Sequence, residues 1–83
     1  MFLHLIWDLD DDSHGNVQHI AEHGITKAEV VEVLTQAEIC EESRSSGRPV
    51  AIGAASTGRT ILVVYEEIDE YTVYPVTAFN LED

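Results

Sequence analysis

Val50-Ala51-Ile52-Gly53-Ala54, Ile61-Leu62-Val63-Val64-Tyr65 and Tyr71-Thr72-Val73-Tyr74-Pro75-Val76-Thr77-Ala78-Phe79 are three arms of one stretch that opens at Pro49. Ser56-Thr57-Gly58-Arg59 divides the first arm from the second, and Glu67-Ile68-Asp69-Glu70 the second from the third. β-Branched and aromatic side chains crowd the arms, and turn residues separate them at hairpin spacing, so residues 49–79 predict an antiparallel meander.

The preceding chain supplies what the meander needs to cover one face. Phe2 to Trp7 is short and apolar apart from His4, the pattern of a strand, and is expected to join the same sheet. Residues 8–15 form an acidic loop. Asn16 is placed to cap a short helix in which Val17, Ile20 and Ala21 share a face, with Gly24 ending it. Thr26-Lys27-Ala28-Glu29 is a capping box with Ile25 and Val30 as its hydrophobic staple, so a second helix begins at Lys27. Its stripe is Val30, Val31, Val33, Leu34 and Ala37, with Glu29, Glu32 and Gln36 facing solvent. Glu38, Glu41 and Glu42 have the wrong sign for a helix C-terminus, which predicts fraying near Gln36 or Ala37. Residues 38–47 are polar and read as a loop. The expected architecture is α+β: an antiparallel sheet of about four strands in the order β-α-α-β-β-β, with two helices on one face.

Eighty-three residues make one domain, spanning 1–83, too small for a large substrate cavity. Sixteen acidic against four basic side chains give a formal charge of -12, which opposes high-affinity nucleic-acid binding and favours a basic partner. A 45% apolar content excludes a disordered acidic tail. With Cys40 as the sole cysteine, no intrachain disulfide can form. There is no membrane-spanning run, and residues 1–7 lack the features of a signal peptide, so the cytoplasm is the expected compartment.

Four constellations bear on chemistry. Asp8-Leu9-Asp10-Asp11-Asp12 begins like a calcium loop, but Ser13 and His19 stand where glycine and a bidentate glutamate are required, which rejects an EF-hand and leaves a solvated acidic loop or a weak divalent-ion site as the alternatives. His19-Ile20-Ala21-Glu22-His23 puts two imidazoles on one helical face, yet no third ligand is marked and there is no room for a protease cleft. Arg48 and Arg59 flank the first hairpin arm; with Arg44 they are the only arginines, able to form one anion site with Tyr65 or Tyr74 alongside. The alternative is that both are ordinary surface residues paired with glutamates. Glu66, Glu67, Asp69 and Glu70 form an acidic hairpin tip that guards an edge or attracts a basic partner. Cys40 lies beside Glu41 and Glu42, which oppose thiolate formation, so no nucleophilic role is expected.

Ile6-Trp7-Asp8, Glu22-His23-Gly24-Ile25, Arg48-Pro49-Val50-Ala51-Ile52-Gly53, Gly58-Arg59-Thr60-Ile61-Leu62-Val63-Val64-Tyr65 and Val73-Tyr74-Pro75-Val76-Thr77-Ala78 together resemble the BrnT-type toxins of type II toxin-antitoxin systems. The resemblance implies a RelE-like fold, a metal-independent ribonuclease that inhibits translation, and neutralisation by an antitoxin partner. It implies no cofactor and no metal. His23, Arg48, Arg59 and Tyr65 fall on the family pattern as the implied catalytic residues, types suited to proton transfer and phosphate neutralisation. Two other functions are open. One is an inactive acidic binding module holding a basic protein; the other is a homo-oligomer formed through strand edges, with Pro75 limiting where pairing occurs.

Overall fold

The structure is a computed structural model that describes residues 4–36, 39–42 and 47–81. Its elements are β1 (His4–Leu5), α1 (Asn16–Glu22), α2 (Lys27–Gln36), β2 (Ile39–Glu42), β3 (Pro49–Ala54), β4 (Thr60–Glu67) and β5 (Thr72–Asn80). The α+β class and the three-strand meander stand as the sequence predicts. β3 and β4 pair antiparallel, with Val50 opposite Val64 and Ala54 opposite Thr60, and β4 pairs antiparallel with β5 from Ile61–Asn80 to Glu67–Val73. Between Thr77, opposite Val64, and Pro75, opposite Tyr65, Val76 is an extra residue. Proline has no N–H to give a ladder, so a bulge is where a sheet accommodates it.

The sheet itself differs from the expectation of about four antiparallel strands. It has five, in the order β1-β5-β4-β3-β2, and it is mixed, because β1 runs parallel to β5 with His4 opposite Thr72 and Leu5 opposite Val73. Apolar patterning identifies a strand but carries no sign of its direction. The additional strand, β2, lies within the segment read as a loop. It pairs antiparallel with β3 at the margin of the sheet, where one flank is unpaired among the described residues and an acidic strand is tolerated. The expected fraying at Ala37 falls outside the described residues, although α2 does end at Gln36.

Both helices cover one face. Ile20 of α1 and Val30, Val33 and Leu34 of α2 join Ala51, Ile61, Val63, Tyr65, Val73 and Ala78 in a single buried cluster, with Leu5 and Trp7 packed against it. The α1 stripe is narrower than expected: Ile20 is buried, while Ala21 is exposed. The helix ends as predicted. Gly24 has φ 75, the left-handed value that a side chain disfavours. Its N–H donates to the Ala21 carbonyl, and that of Ile25 to the Ile20 carbonyl, which is the paired bonding of a Schellman turn.

The start of α1 departs from prediction. Gly15, not Asn16, is the N-cap residue, and no side chain caps locally. Asn16 lies inside the helix and is 2% exposed. Its backbone N–H donates instead to the Asp8 carboxylate at 2.9 Å, so a residue eight positions away satisfies the helix end. Gly15 is required there by close approach, because a Cβ would fall 2.6 Å from that of Asp8.

The other face of the sheet carries no helix. Cross-strand register places Val50, Val64 and Thr77 in one row and Ile52, Leu62 and Phe79 in the next. Phe79 is exposed, and Ile52, Leu62 and Val64 are half-buried.

Candidate functional site

The capping box at the start of α2 forms as read: the Glu29 N–H donates to Thr26 Oγ1 at 3.2 Å, and the Thr26 N–H to Glu29 Oε1 at 3.1 Å. The expected solvent exposure of Glu29 is overturned, because its side chain is 2% exposed and faces a guanidinium. Arg59 Nε donates to Glu29 Oε2 at 2.9 Å, and a terminal nitrogen of Arg59 donates to Oε1. That same nitrogen donates to the Gly24 carbonyl at 2.6 Å, and Thr57 Oγ1 donates to Glu29 Oε2 at 2.7 Å. The Arg59 hydrogen bonds hold the Glu29 carboxyl down at about 2; burial opposes this, and the Thr57 and Thr26 hydrogen bonds assist it. One carboxylate thus joins the α1 exit, the α2 start and the β3–β4 turn. Glu32, also expected in solvent, takes the Ser56 N–H at 3.0 Å and the Ser56 hydroxyl at 2.9 Å from the same turn.

The four residues implied as catalytic do not assemble into one place. His23 and Arg59 are neighbours through Gly24, whose carbonyl Arg59 holds. His23 is exposed, with its ring edge-on to Phe79 at 4.7 Å and stacked with His19 at 5.8 Å. Arg48 lies at the opposite end of the hairpin, where its Nε meets Glu66 Oε1 at 3.1 Å. Glu66 stands seven residues beyond Arg59, roughly 23 Å of extended strand at about 3.3 Å per residue. Tyr65 is buried in the core beneath the helices. The expected convergence of Arg48 and Arg59 on one anion site is therefore corrected: hairpin register sends them to opposite ends. Arg44 falls outside the described residues.

A second polar cluster, not foreseen from the spacing of its residues, lies where β1 leaves β5. Asn16 Oδ1 accepts the Asp8 N–H at 2.9 Å, and its Nδ2 donates to the carbonyls of Ile6 and Pro75, each at 2.9 Å. The amide stands in for strand pairing that β1 does not continue. Tyr74 donates its phenol to Asp8 Oδ2 at 2.5 Å. That hydrogen bond, then burial, then the negative charges of Asp8, Asp12 and Glu66, push the Tyr74 phenol up to about 12. The same hydrogen bond, with that of the Asn16 backbone, lowers the Asp8 carboxyl.

The aspartate loop is used structurally. Asp8 serves Asn16 and Tyr74, Asp12 Oδ1 accepts the His14 N–H at 3.0 Å, and Asp10 pairs with Lys27 at 2.7 Å. Lys27 also lies over the Trp7 ring, 5.9 Å from its centroid. No group of three or more metal-ligating side chains occurs among the described residues. Nor, among them, is any helix long and apolar enough to cross a membrane. No family model matches the chain, and neither curated proteins nor solved structures provide a match to it.

Proposed function

We propose that the chain is an acidic binding module on a toxin-like α+β scaffold, and that it engages a basic protein partner through the helix-free face of its sheet. The observation that carries this reading is the engagement of the cations. Each described lysine and arginine is held by a carboxylate: Lys27 by Asp10, Arg48 by Glu66 and Arg59 by Glu29. RNA phosphate would have to displace those carboxylates against a net charge of -12. The helix-free face has the composition of an interface core, with Ile52, Leu62, Val64 and Phe79 uncharged and adjacent. Glu67, Asp69 and Glu70, exposed where β4 turns into β5, supply negative charge suited to the Lys and Arg of an amphipathic segment.

A titration with a synthetic amphipathic peptide, lysine on one side and leucine on the other, tests this. Association is expected at low ionic strength and should weaken about tenfold or more between roughly 50 and 300 mM salt. Leu62→Glu should weaken it further. Absence of binding at low salt, or binding indifferent to salt, would overturn the proposal.

The adjacency of His23 and Arg59 favours a second reading, the metal-independent toxin ribonuclease implied by the resemblance, neutralised by an antitoxin. Metal-free cleavage of an RNA ladder, lost in His23→Ala, is the outcome that would select it.

A further inference from the structure

We infer that His19 and His23 form a surface chelate for one borderline divalent transition-metal ion, with Cu2+ preferred to Ni2+ and Zn2+, and with Mg2+ and Ca2+ excluded. This inference is independent of the binding proposal. The two residues lie one helical turn apart at the end of α1, and both are exposed. Their rings stack at 5.8 Å with an interplanar angle of 26°, so both imidazoles project to the same side of the helix. Residues four apart on a helix are neighbours, the spacing by which paired histidines grip one ion.

Two features hold the pair in place. The Schellman turn at Gly24 fixes the backbone beneath His23 through the Ile25 to Ile20 hydrogen bond. The Phe79 edge contact limits the orientation of the His23 ring. A site whose ligands are already oriented loses less freedom on binding. Imidazole nitrogen suits copper, nickel and zinc, whereas hard cations require oxygen, and affinity at a nitrogen site follows the order that peaks at copper. Because no third protein ligand is assembled among the described residues, the ion retains water at its remaining positions. The nearby Arg59 does not oppose the ion strongly, since Glu29 already neutralises its charge. The overall charge of -12 draws cations towards the surface.

The test is calorimetric titration of the whole protein with CuCl2 and NiCl2, with excess MgCl2 present to occupy the carboxylates. One ion per chain is expected. His19→Ala and His23→Ala should each weaken binding about tenfold or more, because each leaves a single imidazole. The paired change Ala21→His with His23→Ala preserves histidine content but sets the two imidazoles two positions apart, on different sides of the helix, and it should weaken binding to the same extent. Metal at about a hundredfold excess over its dissociation constant should raise the Tm of the wild type by about 5 °C or more, and not that of the spacing variant. Unchanged affinity in the spacing variant, or equal competition by Mg2+, would assign the ion to the acidic surface and overturn the inference. Far-UV circular dichroism of each variant confirms that α1 is retained.

Discussion

Arg59→Ala is expected to remove roughly 3–5 kcal/mol of stability, enough to leave much of an 83-residue domain unfolded. The loss does not come mainly from a missing contact. It comes from Glu29, whose side chain is 2% exposed and would retain its charge with no guanidinium to meet it. Arg59→Lys should recover only part, because an ammonium cannot serve both carboxylate oxygens and the Gly24 carbonyl from one planar fork. Adding Glu29→Gln to Arg59→Ala should restore stability relative to Arg59→Ala alone, since it removes the stranded charge. Urea unfolding of the four proteins measures all of this, and a loss below about 1 kcal/mol in Arg59→Ala would refute the account.

The same pair sets an acid limit. The Glu29 carboxyl falls from 4.5 to about 2 on folding, so the unfolded chain takes up its proton first. Its contribution is complete above about pH 4.5 and is lost as pH falls towards 2, on the order of 3 kcal/mol across that window. The Glu29→Gln variant should show a flatter acid limb. Loss of an activity in Arg59→Ala would therefore not identify a catalytic arginine unless folding were measured in the same sample.

Asn16→Ala is the second large effect, about 3 kcal/mol. It removes the partner of the buried Pro75 carbonyl and of the part-buried Asp8 N–H and Ile6 carbonyl, at about 1 kcal/mol for each group. Asn16→Asp should be no milder, because a carboxylate keeps the acceptor but turns negative charge on two carbonyl oxygens. Hydrogen exchange offers a local reading: the Ile6 amide, which donates to the Val73 carbonyl, should lose protection in both variants. Retained protection together with an unchanged urea midpoint would show that the amide is not the joint between β1 and β5.

Features with a local cause were legible in the sequence. The meander followed from alternation and turn residues, the Schellman end of α1 from Gly24, and the start of α2 from Thr26 and Glu29. What escaped is long-range. The direction of β1 depends on which strand it meets, and β2 has too few apolar residues to announce itself. Glu29 looked solvent-facing because helical periodicity counts a charge as outward, and nothing in Ser56-Thr57-Gly58-Arg59 signals that its arginine bends back across thirty residues of chain. Asn16 looked like a cap because asparagine commonly is one, whereas Asp8 performs that task from a distance. For the site, the two candidates nearest in space, His23 and Arg59, are far apart in the chain, and the two arginines nearest in motif are separated by the hairpin that links them.

The carboxylate of Glu29 also decides how this corner of the molecule comes apart. Because it grips the helix start, the turn between β3 and β4 and, through Arg59, the exit of α1, none of the three can loosen alone without releasing the other two. That corner opens as one cooperative piece, and a peptide cut from α2 would keep its capping residues yet lose the guanidinium that anchors them.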